Sequence, residues 1–332
     1  MSSASLPNNR KRRLEFYIVK ATTAKTEPVK RIINHLLIAF LAALSYLPFP
    51  VLFTLSDLMY FVLFHIVGYR KKVVYTNLRN AFPEKSEQAI DAIARKFYHH
   101  LCDIGLEGIK LHSISEKELD KRITLHGLEK TEEYFRQQKS IILLGMHYAN
   151  WEWSASLQRL SNHQLLMVYN PVRNNKEMER FILGMRERFG AISVPVHKSA
   201  RTAIQFDKTE RPGCIWLGAD QTPAPNTRFW TMFLNQETPF FSGPEKIAEK
   251  TNQPVFLHYV RKVGRGKYEV QFIELFPEPA KEKPDDILLT YIDRLEKIIR
   301  ETPEYWLWSH RRWKHQRPEG IKLIERLPNP RG

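Results

Sequence analysis

The run Ile141-Ile142-Leu143-Leu144, closed by Gly145 and preceded by Lys139-Ser140, restricts the fold more than any other stretch. A short apolar run bounded in this way reads as a buried strand. Directly after it stand His147-Tyr148-Ala149-Asn150-Trp151-Glu152. On a regular helix two residues five apart lie roughly 140° around the axis, so His147 and Glu152 would not share a face. They meet only if His147 sits in a strand-to-helix loop and Glu152 in the first helical turn. Glu152 would then hold one ring nitrogen while the other, unprotonated, faces a substrate hydroxyl. A histidine-glutamate dyad with no nucleophile of its own points to direct transfer to a hydroxyl.

Around this stretch, strand and helix patterns alternate. Thr124 to Gly127, Leu165 to Tyr169, Cys214 to Gly218, Pro254 to Val260 and Tyr268 to Leu275 read as strands, the last two joined at Gly264-Arg265-Gly266. Residues 86–111, Leu128 to Gln137, Lys176 to Phe189, Ser242 to Thr251 and Asp286 to Glu301 read as helices, with Ser86 as a cap. The fold class expected is therefore α/β: a mixed, mostly parallel sheet flanked by helices. Ligands of such sheets bind off the carboxyl ends of strands, where His147 and Asp220 both fall.

The amino-terminal part differs. From Ile33 to Val67 nearly every residue is apolar or aromatic, a run too long and too late for a secretory signal peptide. Pro48 and Pro50 divide it into Leu36–Leu47 and Val51–Val67, the first too short to cross a bilayer. The expectation is a membrane-anchoring helical hairpin dipping into the cytoplasmic leaflet, with one tilted span or a buried helical pair as alternatives. The chain so divides into a basic cytoplasmic tail, 1–32, an anchor, 33–70, and a catalytic domain, 71–332.

Lysine plus arginine, 51, exceeds aspartate plus glutamate, 36, by 15, which favours an anionic partner: phospholipid headgroups, a phosphorylated substrate or nucleic acid. Two cysteines far apart, Cys102 and Cys214, argue against a disulfide framework and a zinc site. No G-x-S-x-G elbow, G-x-x-x-x-G-K loop or G-x-G-x-x-G fingerprint is present, against a serine hydrolase, a P-loop enzyme and a dinucleotide enzyme.

His147-Tyr-Ala-Asn-Trp-Glu152 has the form H-x-x-x-x-E with an N-W-E ending, and Ala219-Asp220-Gln221 follows the later strand. With Asn77-Leu78 through Phe82-Pro83-Glu84 and the ending Pro303 to Lys314, these residues resemble the bacterial lipid A late acyltransferases, within the glycerolipid acyltransferase superfamily, over Val74 to Pro318. The resemblance implies an inner-membrane enzyme whose catalytic domain faces the cytoplasm. It would move a fatty acyl group from a thioester of acyl carrier protein or CoA to a hydroxyl of a lipid A precursor or related glycolipid. His147 would be the general base and Glu152 its orienting partner, with no covalent acyl-enzyme, metal or cofactor. Nucleic acid is then not a partner.

Further candidates for substrate contact are Asn150 within the motif, Arg173 after a strand, Asp220, Gln221 and Arg228 in the acid-containing loop, and Gly243 where a helix begins. Arg311 and Arg312, between Trp308 and Trp313, could bind headgroup phosphates or an acidic carrier protein. The superfamily's glutamate-glycine-threonine-arginine block has no arginine counterpart at Phe240-Phe241-Ser242-Gly243-Pro244, which favours the lipid A branch over simple phospholipid acylation. Acylation of another glycolipid, an aminolipid or a lysophospholipid, and a membrane-peripheral hydrolase (a thioesterase or lipase) using water as acceptor, are the alternative activities; a non-enzymatic binder of anionic lipid or nucleic acid is the alternative class.

Overall fold

The computed structural model describes residues 30–207 and 209–326. Its main sheet has seven strands in the order β1 (Ile123–His126), β9 (Lys267–Phe276), β8 (Val255–Gly264), β2 (Ile141–Gly145), β5 (Gly213–Gly218), β3 (Gln164–Tyr169) and β4 (Ile192–Pro195). All neighbours run parallel except β8 and β9. The sheet is thus the mixed, mostly parallel one expected. β2 is buried at every position and β5 at all but its last, as parallel strands covered on both faces must be. Cys102 and Cys214 are both buried and unpaired.

Register decides what meets at the carboxyl edge. β2 pairs with β5 from Ile141↔Cys214 to Gly145↔Gly218, so the two glycines end their strands side by side. His147 lies two residues beyond the first glycine and Asp220 two beyond the second. Equal offsets from a shared register pair bring them to one place.

The helices lie where periodicity puts them. α4 (Glu87–Lys110) starts at Ser86, whose hydroxyl accepts from the Ala89 amide, and α10 (Asp286–Glu301) buries Ile287, Tyr291, Leu295 and Ile299 along one stripe. α6 spans Leu128–Arg136, α7 Lys176–Glu187 and α9 Gly243–Thr251. Sequence patterning did not reveal β4, the short helix α8 (Ser199–Phe206) or the antiparallel hairpin β6 (Trp230–Phe233) and β7 (Gln236–Pro239). The hairpin turn is Leu234-Asn235 with φ of 48° and 62°, a left-handed pair lacking the usual glycine.

The apolar segment forms α1 over residues 30–45 and α2 (Phe49–Phe61), which runs on as a π-helical stretch, Val62–Val67, ending at Gly68. The break falls at the prolines: Pro48 caps α2 and Pro50 sits in its first turn, where a missing amide costs nothing. Among the described residues Phe49–Val67, 19 residues of mean hydropathy 1.8, is the one helix long and apolar enough to cross a membrane. Yet one face of it is tied to α4 and to the β8–β9 turn of the sheet. Ser56 donates to Asp103 of α4 at 2.7 Å, and Arg265 from the β8–β9 turn bonds both Asp57 (2.6 Å) and Asp103 (2.7 Å). Lys110 of α4 pins the break itself by donating to the Ser45 and Leu47 carbonyls. The outward faces carry Leu36, Phe40, Val51, Leu58, Phe61, Ile66 and Val67, all exposed. Of the basic tail expected over 1–32, residues 1–29 lie outside the described residues.

Candidate active site

At the end of β2 the chain turns outward and presents His147. Its ring Nδ1 lies 2.7 Å from Asp220 Oδ1, and its backbone amide donates to Asp220 Oδ2 at 2.8 Å. The Trp306 indole donates to the same Oδ2 at 2.9 Å. Burial alone would push the Asp220 carboxyl up, but attraction to His147 and these hydrogen bonds hold it below the usual carboxylate range. An ionised carboxylate only accepts, so the proton between the two residues belongs to Nδ1. Nε2 is left with its lone pair free, the tautomer a general base needs.

The carboxyl-terminal segment clamps the same loop. Leu307 N donates to the His147 carbonyl at 3.2 Å, Ala149 N to the Tyr305 carbonyl at 3.0 Å, and the Tyr148 hydroxyl bonds Thr302. Ala149 is held at φ of 48°, a left-handed conformation that costs a non-glycine residue of order 1 kcal/mol and persists only where its surroundings fix it.

Glu152 does not hold the imidazole. The segment after the loop, Trp151–Arg159, is a 3₁₀ helix, and in it the Glu152 carboxylate is occupied by Arg186 of α7, whose Nη2 lies 3.1 and 3.0 Å from its two oxygens. The Trp151 indole donates to it as well, at 3.1 Å. The pairing inferred from the H-x-x-x-x-E spacing is not the one observed: His147 is paired with Asp220, distant in sequence and adjacent by register, and Glu152 with Arg186.

In front of His147 opens a cavity of about 410 Å³. Glu152, Arg186, Gln221 and the first turn of α9 at Gly243 contribute its polar wall; Met167, Val196, Trp216, Leu217 and Ile247 contribute the apolar one. An apolar slot with a few convergent polar groups suits a ligand with a chain and a reacting polar head.

A profile of the family described as bacterial lipid A biosynthesis acyltransferase matches residues 20–315. The chain belongs to that family. It is similar to the lipid A biosynthesis lauroyltransferase of Escherichia coli K12, 24% identical over 295 residues covering 83% of this chain and 89% of the relative. A lipid A biosynthesis acyltransferase of Haemophilus influenzae is 24% identical over 280 residues, covering 82% and 84%. The palmitoleoyltransferase of Escherichia coli K12 is 21% identical over 276 residues, covering 82% and 88%. Membership makes this chain an O-acyltransferase of the late lipid A type.

Of the residues singled out in its sequence, this acyltransferase gathers His147, Glu152, Gln221 and Gly243 around the cavity, with Asp220 behind His147. Asn150 is buried, not a substrate contact: its Oδ1 caps the Trp153 amide and its Nδ2 donates to Glu107 at 2.6 Å. Glu107, wholly buried beneath it, also accepts from the Tyr268 hydroxyl, and burial pushes its carboxyl up to about 7. Arg173 and Arg228 are exposed on loops outside the cavity lining.

Arg311 is exposed, but Arg312 is 1% exposed and cannot meet a headgroup or a carrier protein. Its Nη2 donates to the Pro239 carbonyl and its guanidinium lies 4.5 Å from the Phe240 ring centroid; burial lowers it to about 9 despite the charge of Asp220 nearby. Its neighbours in sequence gave no sign of this, because Trp308 and Trp313 flank a surface site or an interior one equally well. Arg186 and Trp306 were not singled out as site residues: one sits in an ordinary amphipathic helix pattern, the other in the ending Pro303 to Lys314, which carries the resemblance without assigning that tryptophan a role.

Proposed function

We propose that this acyltransferase moves a fatty acyl group from a thioester of acyl carrier protein or CoA to a hydroxyl of a lipid A precursor, with His147 as general base and Asp220 as its orienting partner. The observation that carries the reading is the His147 Nδ1–Asp220 bond of 2.7 Å, which leaves Nε2 free at the cavity. The acceptor hydroxyl gives its proton to Nε2 as its oxygen attacks the thioester carbonyl. The C–S bond of the tetrahedral intermediate then breaks, and the departing sulfur takes the proton back from the imidazolium. Base assistance of this kind contributes ~10²- to 10⁴-fold. The amino end of α9 supplies positive potential for the developing oxyanion or an acceptor phosphate, while Arg186, the one lysine or arginine among the described residues lining the cavity, is paired with Glu152 and would have to leave it to bind an anion. No metal or cofactor enters the reaction as written.

The exposed apolar faces of α1 and α2 support membrane association of a particular kind. α2 is bound along its inner face to Asp103 and Arg265, so we place it in the interface with its outer face among acyl chains, on the cytoplasmic side of the inner membrane, rather than across the bilayer. Anionic headgroups would attract the surplus of 15 positive charges.

The test is mass spectrometry of products from purified protein, an acyl thioester and an under-acylated lipid A precursor in phospholipid vesicles. One added acyl chain is expected. Free fatty acid as sole product would make it a hydrolase; acylation only of an added aminolipid or lysophospholipid would move the acceptor.

A further inference from the structure

Arg312 is a buried cation that the reaction as written does not use. Of its guanidinium only Nη2 has an acceptor, the Pro239 carbonyl; Nε and Nη1 are buried with no partner, and the group lies over the Phe240 ring. A charge buried on so few contacts is costly unless an opposite charge stands near. The tail segment that carries it is bound to the Asp220 loop at both ends. Trp306 Nε1 donates to Asp220 Oδ2 at 2.9 Å, and the hydroxyl of Thr222, two residues beyond Asp220, donates to the Arg312 carbonyl at 2.8 Å. Between these ends the Trp306 and Trp313 rings pack 5.9 Å apart, and the Trp313 indole donates to Thr238, next to Pro239. Among the described residues Asp220 is the one carboxylate whose charge the guanidinium feels. The other titratable groups around the pair leave the local charge to these two and His147. Tyr291 of α10 donates its hydroxyl to the Gly145 carbonyl, and burial keeps it protonated. His310 is pushed down to about 4, chiefly by burial, and is neutral near neutrality; Lys314 is exposed. Across the cavity Glu152 and Arg186 cancel each other.

We propose that Arg312 is a positioning residue: its buried charge balances Asp220, so that the carboxylate orients His147 through Nδ1 without holding a second proton on Nε2. The inference rests on the acyl-transfer reading above. A buried carboxylate 2.7 Å from an imidazole favours the imidazolium, which has no lone pair for an acceptor hydroxyl. With Arg312 present, a proton added to His147 makes two cations to one carboxylate. Without it the same proton makes one to one, the favoured arrangement in a buried site. The resident guanidinium therefore keeps Nε2 open until the acceptor hydroxyl supplies its proton.

The experiment titrates His147 by NMR of full-length ¹⁵N-histidine-labelled wild type, Arg312→Gln and Arg312→Met, with kcat/KM for acyl transfer measured over the same pH range and thermal unfolding alongside. Glutamine can keep the bond to the Pro239 carbonyl, and methionine keeps most of the bulk. In both variants the midpoint of His147 protonation and the acid limb of the kcat/KM profile are expected to move up together by about one pH unit, a tenfold change in the ratio of charged to neutral imidazole. A merely structural role lowers activity at every pH and leaves the midpoint where it is. An unmoved midpoint in the folded variants overturns the inference. If neither variant folds, Asp220→Asn is added to each: recovered folding with both charges gone supports the balance of charge, and continued failure makes Arg312 a structural residue and overturns it. A wild type that transfers no acyl chain would instead sink the acyl-transfer reading, while the His147 midpoint still decides whether Arg312 balances Asp220.

Discussion

Asp220 and Glu152 stand beside one cavity in opposite settings. Asp220 is 2% exposed and accepts three hydrogen bonds, two from His147 and one from Trp306. Glu152 lines the open side and is neutralised by Arg186. The first carboxylate is placed to govern a protonation state. The second governs where a cation sits. Distance along the chain, five residues against seventy-three, ranks them the wrong way round, because parallel register and not sequence proximity sets which groups meet.

The largest expected effect on this contrast comes from His147→Ala, which should lower kcat by ~10²- to 10⁴-fold with folding intact. Asp220→Asn should follow at about 10²- to 10³-fold, since an amide can donate to Nδ1 and stabilise the wrong tautomer. Adding it to His147→Ala should cost almost nothing more, as expected of groups acting as one unit. Glu152→Ala, leaving Arg186 without its partner, should cost about 10- to 10²-fold, and the double variant with Arg186→Ala should be little worse than the single. Equal coupling of Glu152 to His147 would dissolve the distinction.

Much of this was legible beforehand, and the limits have physical causes. The continuous apolar runs of β2 and β5 and the capped, periodic α4 and α10 announce themselves, because burial on both faces, or along one stripe, leaves a one-dimensional pattern. β4, only four residues long with one buried position, leaves none, and the β6–β7 hairpin turns on Leu234-Asn235 where a glycine would be the usual signal. In the site, His147 and Asp220 could be placed at strand ends but not joined, since joining them needs the β2–β5 register. Asn150 looked like a substrate contact because it stands within the motif; its neighbour in space, Glu107, is on α4.

Glu107 sharpens the contrast further. Its carboxyl is raised to about 7, so its folded form stays protonated while the unfolded chain ionises. The stability it contributes is complete below the ordinary carboxyl value and is lost as pH rises toward about 7. Glu107→Gln should flatten that decline by up to about 3 kcal/mol in urea titrations across the interval, while Asn150 keeps its acceptor. Asp220 has the opposite sign: held low, it contributes stability above the ordinary carboxyl range that is lost as pH falls through its folded value. The smallest effect on chemistry is expected from Leu36→Glu with Phe40→Glu on exposed α1, which should weaken flotation with anionic vesicles while leaving turnover of a detergent-dispersed acceptor within about twofold.

The central claim, that Asp220 and not Glu152 holds His147 in its reactive tautomer, is tested most directly by nitrogen NMR of ¹⁵N-histidine-labelled protein, with His147 assigned by its loss in His147→Ala. A protonated Nδ1 and an unprotonated Nε2 are expected for wild type and for Glu152→Gln, and a change of tautomer for Asp220→Asn. A tautomer that survives Asp220→Asn and is lost in Glu152→Gln would contradict the account.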